Sequence, residues 1–202
     1  MANVNAPSGL TPVMHRDGSM WNGQTRQYCV LAADTNPYYV GDLVKVSANA
    51  DVNGIPAVTL GTAGAAARGV VTGVSTIAQG GPIINPADLT KTFRPSGAQA
   101  INYYLSVVDD PTVVFEIQEV NSGTAGVATN MNKNANIVYG APAAGVFLSG
   151  TTLDNTTYAT TATLNLKVMG VVQRLGNTPF TLAQRLLCVI NNHDFNGGTA
   201  GT

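Results

Sequence analysis

The pattern that most limits what this chain can fold into is an alternation of period two across residues 101–118. Ile101, Tyr103, Leu105 and Val107 alternate with Asn102, Tyr104 and Ser106. Asp109-Asp110-Pro111 then turns the chain, since proline pre-sets φ for a turn and cannot donate to a central ladder. Val113, Phe115 and Ile117 return on one face, with Glu116 and Gln118 on the other. A helix repeats every 3.6 residues and cannot gather such a set on one buried side. The segment therefore predicts a β-hairpin.

The same reasoning predicts further strands. Residues 38–46 and 55–60 flank Asn53-Gly54, a dipeptide suited to a tight hairpin turn. Residues 68–74 follow, with Gly69 and Gly73 permitting close backbone approach or a bulge. Later candidates are 137–139, 146–148, 158–172 and 184–191. In the long one, Leu164, Leu166 and Val168 alternate with Asn165, Lys167 and Met169, and Gly170 predicts a bend. Helix is confined to one or two turns at 85–89, where Pro86 follows Asn85, and another turn at 178–183. The expected fold class is all-β: an antiparallel β-barrel or sandwich with short helical turns. At 202 residues the chain can bury a core without a disulfide or metal.

The two ends differ from this β-rich body, which spans residues 26–195. Residues 1–25 contain Pro7, Gly9, Pro12, Gly18 and Gly23 and no sustained periodicity, which predicts an irregular, extended N-terminal arm. The arm carries Leu10, Val13, Met14, Met20 and Trp21, apolar side chains for which a solvated tail has little use. Either it docks on a neighbour or it covers the open end of its own sheet. Leu10, Val13, Met14 and Trp21 are accordingly the candidate interface residues. Residues 196–202, Asn-Gly-Gly-Thr-Ala-Gly-Thr, read as a flexible C-terminal tail.

Composition narrows the function. Charged residues make up 10%, and 10 Lys+Arg nearly cancel 11 Asp+Glu. Nucleic-acid binding needs clustered cations to displace counterions, and the sequence has none. No apolar run approaches the roughly 20 residues that span a bilayer, and the N-terminus lacks a basic start and apolar leader, so synthesis in the cytoplasm is expected. Near-neutral proteins with few surface ions tend to associate, which points to a life against other protein.

Catalysis finds no foothold. Cys29 and Cys188 sit among apolar neighbours as small hydrophobes would, and His15 and His193 lie near opposite ends. No G-x-S-x-G nucleophile pattern occurs; an enzyme with a Cys–His site is the weakest of three readings. Asn49-x-Asp51-x-Asn53-Gly54 opens like a calcium loop, but Leu60 stands where a bidentate Glu is needed, so a plain turn is expected. Gly61–Gly64 and Gly123–Gly126 are not followed by the Lys-Ser/Thr of a phosphate loop. Glu116 and Glu119 fall on opposite faces of a regular strand, a poor acid/base couple. No catalytic residue, cofactor or metal is expected. Tyr38-Tyr39 and Tyr103-Tyr104, with Trp21, offer a carbohydrate- or receptor-binding platform; the simpler alternative turns one ring of each pair inward and leaves the other half-exposed.

Three stretches together resemble virion structural proteins of tailed bacteriophages, in particular head decoration or cement proteins. The first is Asn3-Val4-Asn5-Ala6-Pro7-Ser8-Gly9-Leu10-Thr11-Pro12-Val13 followed by Trp21-Asn22-Gly23. The second joins Tyr39-Val40-Gly41-Asp42-Leu43-Val44-Lys45, Gly54-Ile55-Pro56-Ala57-Val58 and Arg68-Gly69-Val70-Val71-Thr72-Gly73-Val74. The third is Leu166-Lys167-Val168-Met169-Gly170-Val171 with Val189-Ile190-Asn191-Asn192-His193. The resemblance implies an all-β, non-enzymatic protein on the capsid exterior. Its partner would be the major capsid protein, where subunits meet, and it would self-associate as a trimer or small cluster. A tail or head–tail connector protein is a close alternative. The resemblance carries no catalytic residues and no mapped capsid-contact motif.

Overall fold

The computed structural model describes residues 2–78 and 91–201; the turn expected at 85–89 lies outside them. The fold is all-β. Its strands are β1 (Thr11–His15), β2 (Arg26–Val30), β3 (Tyr38–Tyr39), β4 (Leu43–Ala50), β5 (Pro56–Leu60), β6 (Gly69–Ser75), β7 (Phe93–Arg94), β8 (Tyr103–Val108), β9 (Val113–Gln118), β10 (Asn134–Ala135), β11 (Ile137–Val138), β12 (Thr152–Leu153), β13 (Leu166–Val171) and β14 (Arg185–Ile190). A three-residue 3-10 turn at Ala128–Asn130 is the helix among the described residues; residues 178–183 make turns but no helix.

Strands β2-β5-β4-β6-β8 close into a barrel, and β1-β9-β14-β13-β10 form a five-stranded sheet against it. The alternating segment 101–118 is thus not a hairpin. Its halves are both strands, but β8 pairs with β2 and β6 while β9 pairs with β1 and β14. The Asp109-Asp110-Pro111 turn carries the chain from barrel to sheet, and Asp109 is held there by the Tyr28 hydroxyl at 2.7 Å. Period two reports a pleated strand with two unlike faces and says nothing of which strand lies beside it. A hairpin forms across Asn53-Gly54, with the Asp51 carboxylate accepting the amides of Asn53 and Ile55 at 2.9 and 2.8 Å, but the strand expected at 38–46 breaks into β3, which pairs with β7, and β4. The long strand expected at 158–172 is confined to β13, where a register shift between Val168 and Gly170 marks the expected bend.

Two packing layers follow from β6 and β8, whose adjacent valines point in opposite directions. Val71 and Val107 fill the barrel with Tyr28, Tyr38, Val44 and Leu105. Val70 and Val108 face outward and pack on Phe115, Ile117, Leu166, Leu186 and Ile190 of the sheet. One barrel end is plugged by Arg94, which is fully buried. Its guanidinium donates to the carbonyls of Asp34 and Asn36 and lies 5.8 and 5.7 Å from the Tyr38 and Tyr103 ring centres.

The N-terminal segment departs from the expected arm. Residues 11–15 form the edge strand of the sheet, pairing Thr11 with Glu116 and His15 with Val113. Leu10 is 1% exposed in the inter-layer core, and Trp21 packs against the same cluster. Val13 and Met14 are half-buried within β1. Of the two roles open to these side chains, covering the sheet is the one observed, because their burial there removes apolar surface from water. Residues 3–8 run outside the strands but are tied down by side chains. Asn3 donates to the Thr178 carbonyl (3.0 Å), Gln118 accepts from the Ala6 amide (2.9 Å), and Arg185 donates to the Ala6 carbonyl (2.7 Å).

The C-terminal residues are likewise seated rather than free. The Asn191 side chain accepts the Thr199 amide, Asn134 donates to the Thr199 carbonyl at 2.7 Å, and Gly201 donates to Thr160.

A polar lock joins barrel to sheet. Arg68 donates to Asp194 at 2.7 Å and to the Tyr28 hydroxyl at 3.1 Å, and its guanidinium lies 4.2 Å from the Phe195 ring centre. His193 is buried beside Phe195, and its Nδ1 accepts the Phe195 amide at 3.1 Å. The Nδ1 acceptor role requires a neutral ring. Burial pushes the His193 pKa down, which Arg68 reinforces and Asp194 and Asp109 oppose.

Candidate functional site

Between Gly140 and Gly150 runs Ala141-Pro142-Ala143-Ala144-Gly145-Val146-Phe147-Leu148-Ser149. Its first eight residues offer no charge and no side-chain hydrogen-bonding group, and all but Pro142 are exposed. The strand expected at 146–148 is reduced to an isolated bridge, Leu148 with Val40. Apolar loops in water normally fold back on their own protein. This one is held out.

The hold is at its base. Gly140 and Gly150 touch backbone to backbone, and a Cβ on either would collide with the other's carbonyl oxygen. Ser149 donates its amide to Val40 at 2.9 Å and its hydroxyl to the buried Asp42 carboxylate. Thr151 also donates to Asp42 (3.3 Å), as does the Tyr39 amide (2.8 Å), and the Tyr139 hydroxyl donates to the Leu43 carbonyl. Among the described residues no cation pairs with Asp42, so burial raises its pKa above the ordinary carboxylate value while the three donors pull it back. The N-terminal segment crosses here too. Leu10 donates to the Gly41 carbonyl at 2.9 Å, and Gly9, at φ +66°, has no room for a Cβ between Gly41 and Ser149.

The loop's outer part is steadied by aromatic stacking. Phe147 lies parallel to Phe93 (centroids 5.0 Å apart, planes 7° apart), and Phe93 lies parallel to Tyr39 (5.5 Å, 10°). Phe147 nevertheless stays 49% exposed, with Val146 and Leu148 beside it. An aromatic and two aliphatic side chains held in place before contact lose little further freedom on binding, which favours them as anchors for another surface.

The residues singled out from sequence do not assemble into this site. Leu10 reaches only its foundation, through the Gly41 contact; Val13, Met14 and Trp21 lie in β1 or against the core. The tyrosine platform is not at the surface. Tyr38, Tyr103 and Tyr104 are buried, Tyr104 donating to Asp51 at 2.9 Å, and Tyr39 is covered on one face by Phe93. One ring in and one half out describes Tyr38-Tyr39 but not Tyr103-Tyr104, because β8 is covered on both faces. Both cysteines are buried, and desolvation pushes their thiol pKa values up, away from thiolate chemistry. Among the described residues, no three His, Cys, Asp or Glu side chains gather as a metal site requires. The sequence did carry a signal for the loop: eight consecutive residues without a polar side chain, 141–148, inside a segment bounded by Gly140 and Gly150.

No family model, no curated protein and no solved structure matches the chain. Among the described residues no helix is long and apolar enough to cross a membrane.

Proposed function

We propose that this is a non-enzymatic structural protein of a tailed-phage virion, one that binds the capsid exterior and cements contacts between major capsid subunits. The observation that carries the reading is the stapled apolar loop 141–148, a pre-formed docking element on a closed β body. A small cluster of copies, a trimer for instance, presents several such loops to a symmetric shell. Modest contacts then combine through multivalency. The chain's near-zero net charge, 10 cationic against 11 anionic side chains, lets neighbouring copies approach without strong repulsion.

The test is co-sedimentation of the purified protein with expanded shells that lack it, followed by denaturant challenge of those shells. Saturable binding, a raised shell-disruption midpoint and at least about tenfold weaker binding by Phe147→Ala are expected. A folded protein that leaves the shells bare and no more stable would overturn the reading, and glycan screening and tail assemblies would come next.

A further inference from the structure

The five-stranded sheet turns Phe115, Cys188 and Leu166 toward the barrel and a second set of side chains outward. In that outward set Met14 lies opposite Val114, Val114 opposite Val189, and Val189 opposite Lys167. A pocket of about 310 Å³ opens on this face, at the small end of the roughly 300–1,000 Å³ range of ligand sites. Met169 and Val189 supply apolar lining, and Arg16, Lys167, Asn132 and Asn196 supply polar groups.

The backbone around the pocket is fixed. Arg16 stands on the turn after β1, its amide donating to the Thr112 carbonyl at 2.9 Å. Asn132 is held at φ +64°, its amide donating to the Val168 carbonyl at 2.9 Å. The amides of Asn196 and Gly197 donate to the His193 carbonyl at 3.1 and 2.7 Å, and Asn191 accepts the amide and hydroxyl of Thr199. Past Thr199 the chain leaves the pocket, and Gly201 donates to the Thr160 carbonyl at 3.0 Å. Groups mounted this way lose little more than side-chain freedom on binding.

Their bonding capacity is unspent. Among the described residues no carboxylate lines the pocket, and neither Arg16 nor Lys167 pairs with one. Lys167 donates to the Ala200 carbonyl at 3.1 Å, while the Arg16 guanidinium and the side-chain amides of Asn132 and Asn196 have no hydrogen-bond partner. A guanidinium fork matches a carboxylate. Each side-chain amide adds an acceptor oxygen to its two donors, and a hydroxyl satisfies that oxygen where an ionised phosphate cannot. The Met169 and Val189 side chains suit the C–H surface of such a ligand.

We infer that this pocket binds a small organic acid whose carboxylate is flanked by hydroxyl groups, a sugar acid either free or at the end of a glycan. The carboxylate lies at Arg16 and Lys167 and the hydroxyls at Asn132 and Asn196. The site belongs to the sheet and not to loop 141–148, so it stands or falls independently of capsid docking.

The experiment titrates the isotope-labelled full chain and follows the amide NMR shifts of Asn132, Asn196 and Gly197. Methyl β-glucuronide represents a glycan end and gluconate a free acid; methyl β-glucoside, acetate and inorganic phosphate are the comparisons. At least one of the two acids should saturate the shifts with a Kd about tenfold or more below those of the three comparisons. Arg16→Ala should weaken that binding about tenfold at unchanged Tm, since the side chain is exposed. Preference for the glucuronide identifies a glycan end, and preference for gluconate a free acid; both support the site. It is overturned if neither acid saturates, if acetate or phosphate binds as tightly, or if Arg16→Ala binds as wild type does. A chain shortened by Thr202 that binds tenfold more tightly would assign the pocket to the chain's own end, and would overturn it too.

Discussion

The N-terminal segment and the loop at 141–148 are similar strings of residues: short, glycine- and proline-containing, apolar in part and free of regular periodicity. One is absorbed into the fold and the other is held away from it. Residues 11–15 find an open strand edge at β9, and Leu10 drops into the layer between sheet and barrel. Among the described residues the loop pairs with a strand neighbour only through the isolated bridge of Leu148 with Val40. Its ends are pinned together by Gly140 and Gly150, and Asp42 fixes Ser149 and Thr151 beneath it, so its side chains cannot reach the core. Apolar content alone does not say whether a segment is structural or available for docking. What separates the two is how each is anchored: one pairs along β9, the other is pinned at its base by Gly140, Gly150 and Asp42.

The sharpest way to break this comparison is to cut away the anchoring side chain of the absorbed segment. Leu10→Ala should lower stability by about 2–5 kcal/mol, the range for leaving a cavity at a buried leucine. Denaturant unfolding measures it. A change below about 1 kcal/mol would mean that residues 1–25 hang on the surface as an arm after all. Gly9→Ala should add a comparable loss, since the new Cβ meets the Gly41 carbonyl and the residue must keep its positive φ.

Acid should act on the Arg68–His193 lock and on the loop's base in opposite directions. His193 has a depressed pKa, so the folded state binds fewer protons than the unfolded one; its contribution is complete above about 6.5 and is lost as the pH falls through the depressed folded value. Asp42 has a raised pKa. Its contribution is complete below the ordinary value of 3.8 and is lost as the pH rises through the raised folded value. Hydrogen exchange between pH 7.5 and 5, corrected for the intrinsic pH dependence of exchange, should therefore speed up around residues 193–197 and not at the loop's base. His193→Gln should flatten the first response. An equal acceleration of both regions in wild type and variant would show that neither group governs its surroundings.

Much of the β architecture was legible because strands announce themselves through side-chain alternation, and the Asn53-Gly54 turn through its chemistry. Pairing was not legible. The 101–118 pattern marks two strands correctly and their partnership wrongly, since an intervening turn fits a sheet-to-barrel corner as well as a hairpin. Arg94 was invisible for a similar reason. Nothing local distinguishes an arginine that plugs a barrel through the carbonyls of Asp34 and Asn36 from one in water. The apolar run at 141–148 was in plain view. Its exposure depended on Asp42, about a hundred residues away, and on a glycine contact that only the folded chain brings about.

A smaller stability effect than at Leu10 or Gly9 is expected at the loop itself, and it separates docking from folding most cleanly. Phe147→Ala removes one stacked pair and half-exposed area, so about 0.5–1.5 kcal/mol should be lost. Val52→Ser at the nearly fully exposed β4–β5 tip should change stability by less than about 0.5 kcal/mol and supplies the control for an apolar side chain without a staple beneath it. If the loop is a docking element, Phe147→Ala weakens shell binding far more than its stability loss explains, and Val52→Ser leaves both untouched. Should Phe147→Ala unfold the protein as severely as Leu10→Ala does, the two regions are alike in being parts of one core. The distinction between an absorbed segment and a presented one would then be gone.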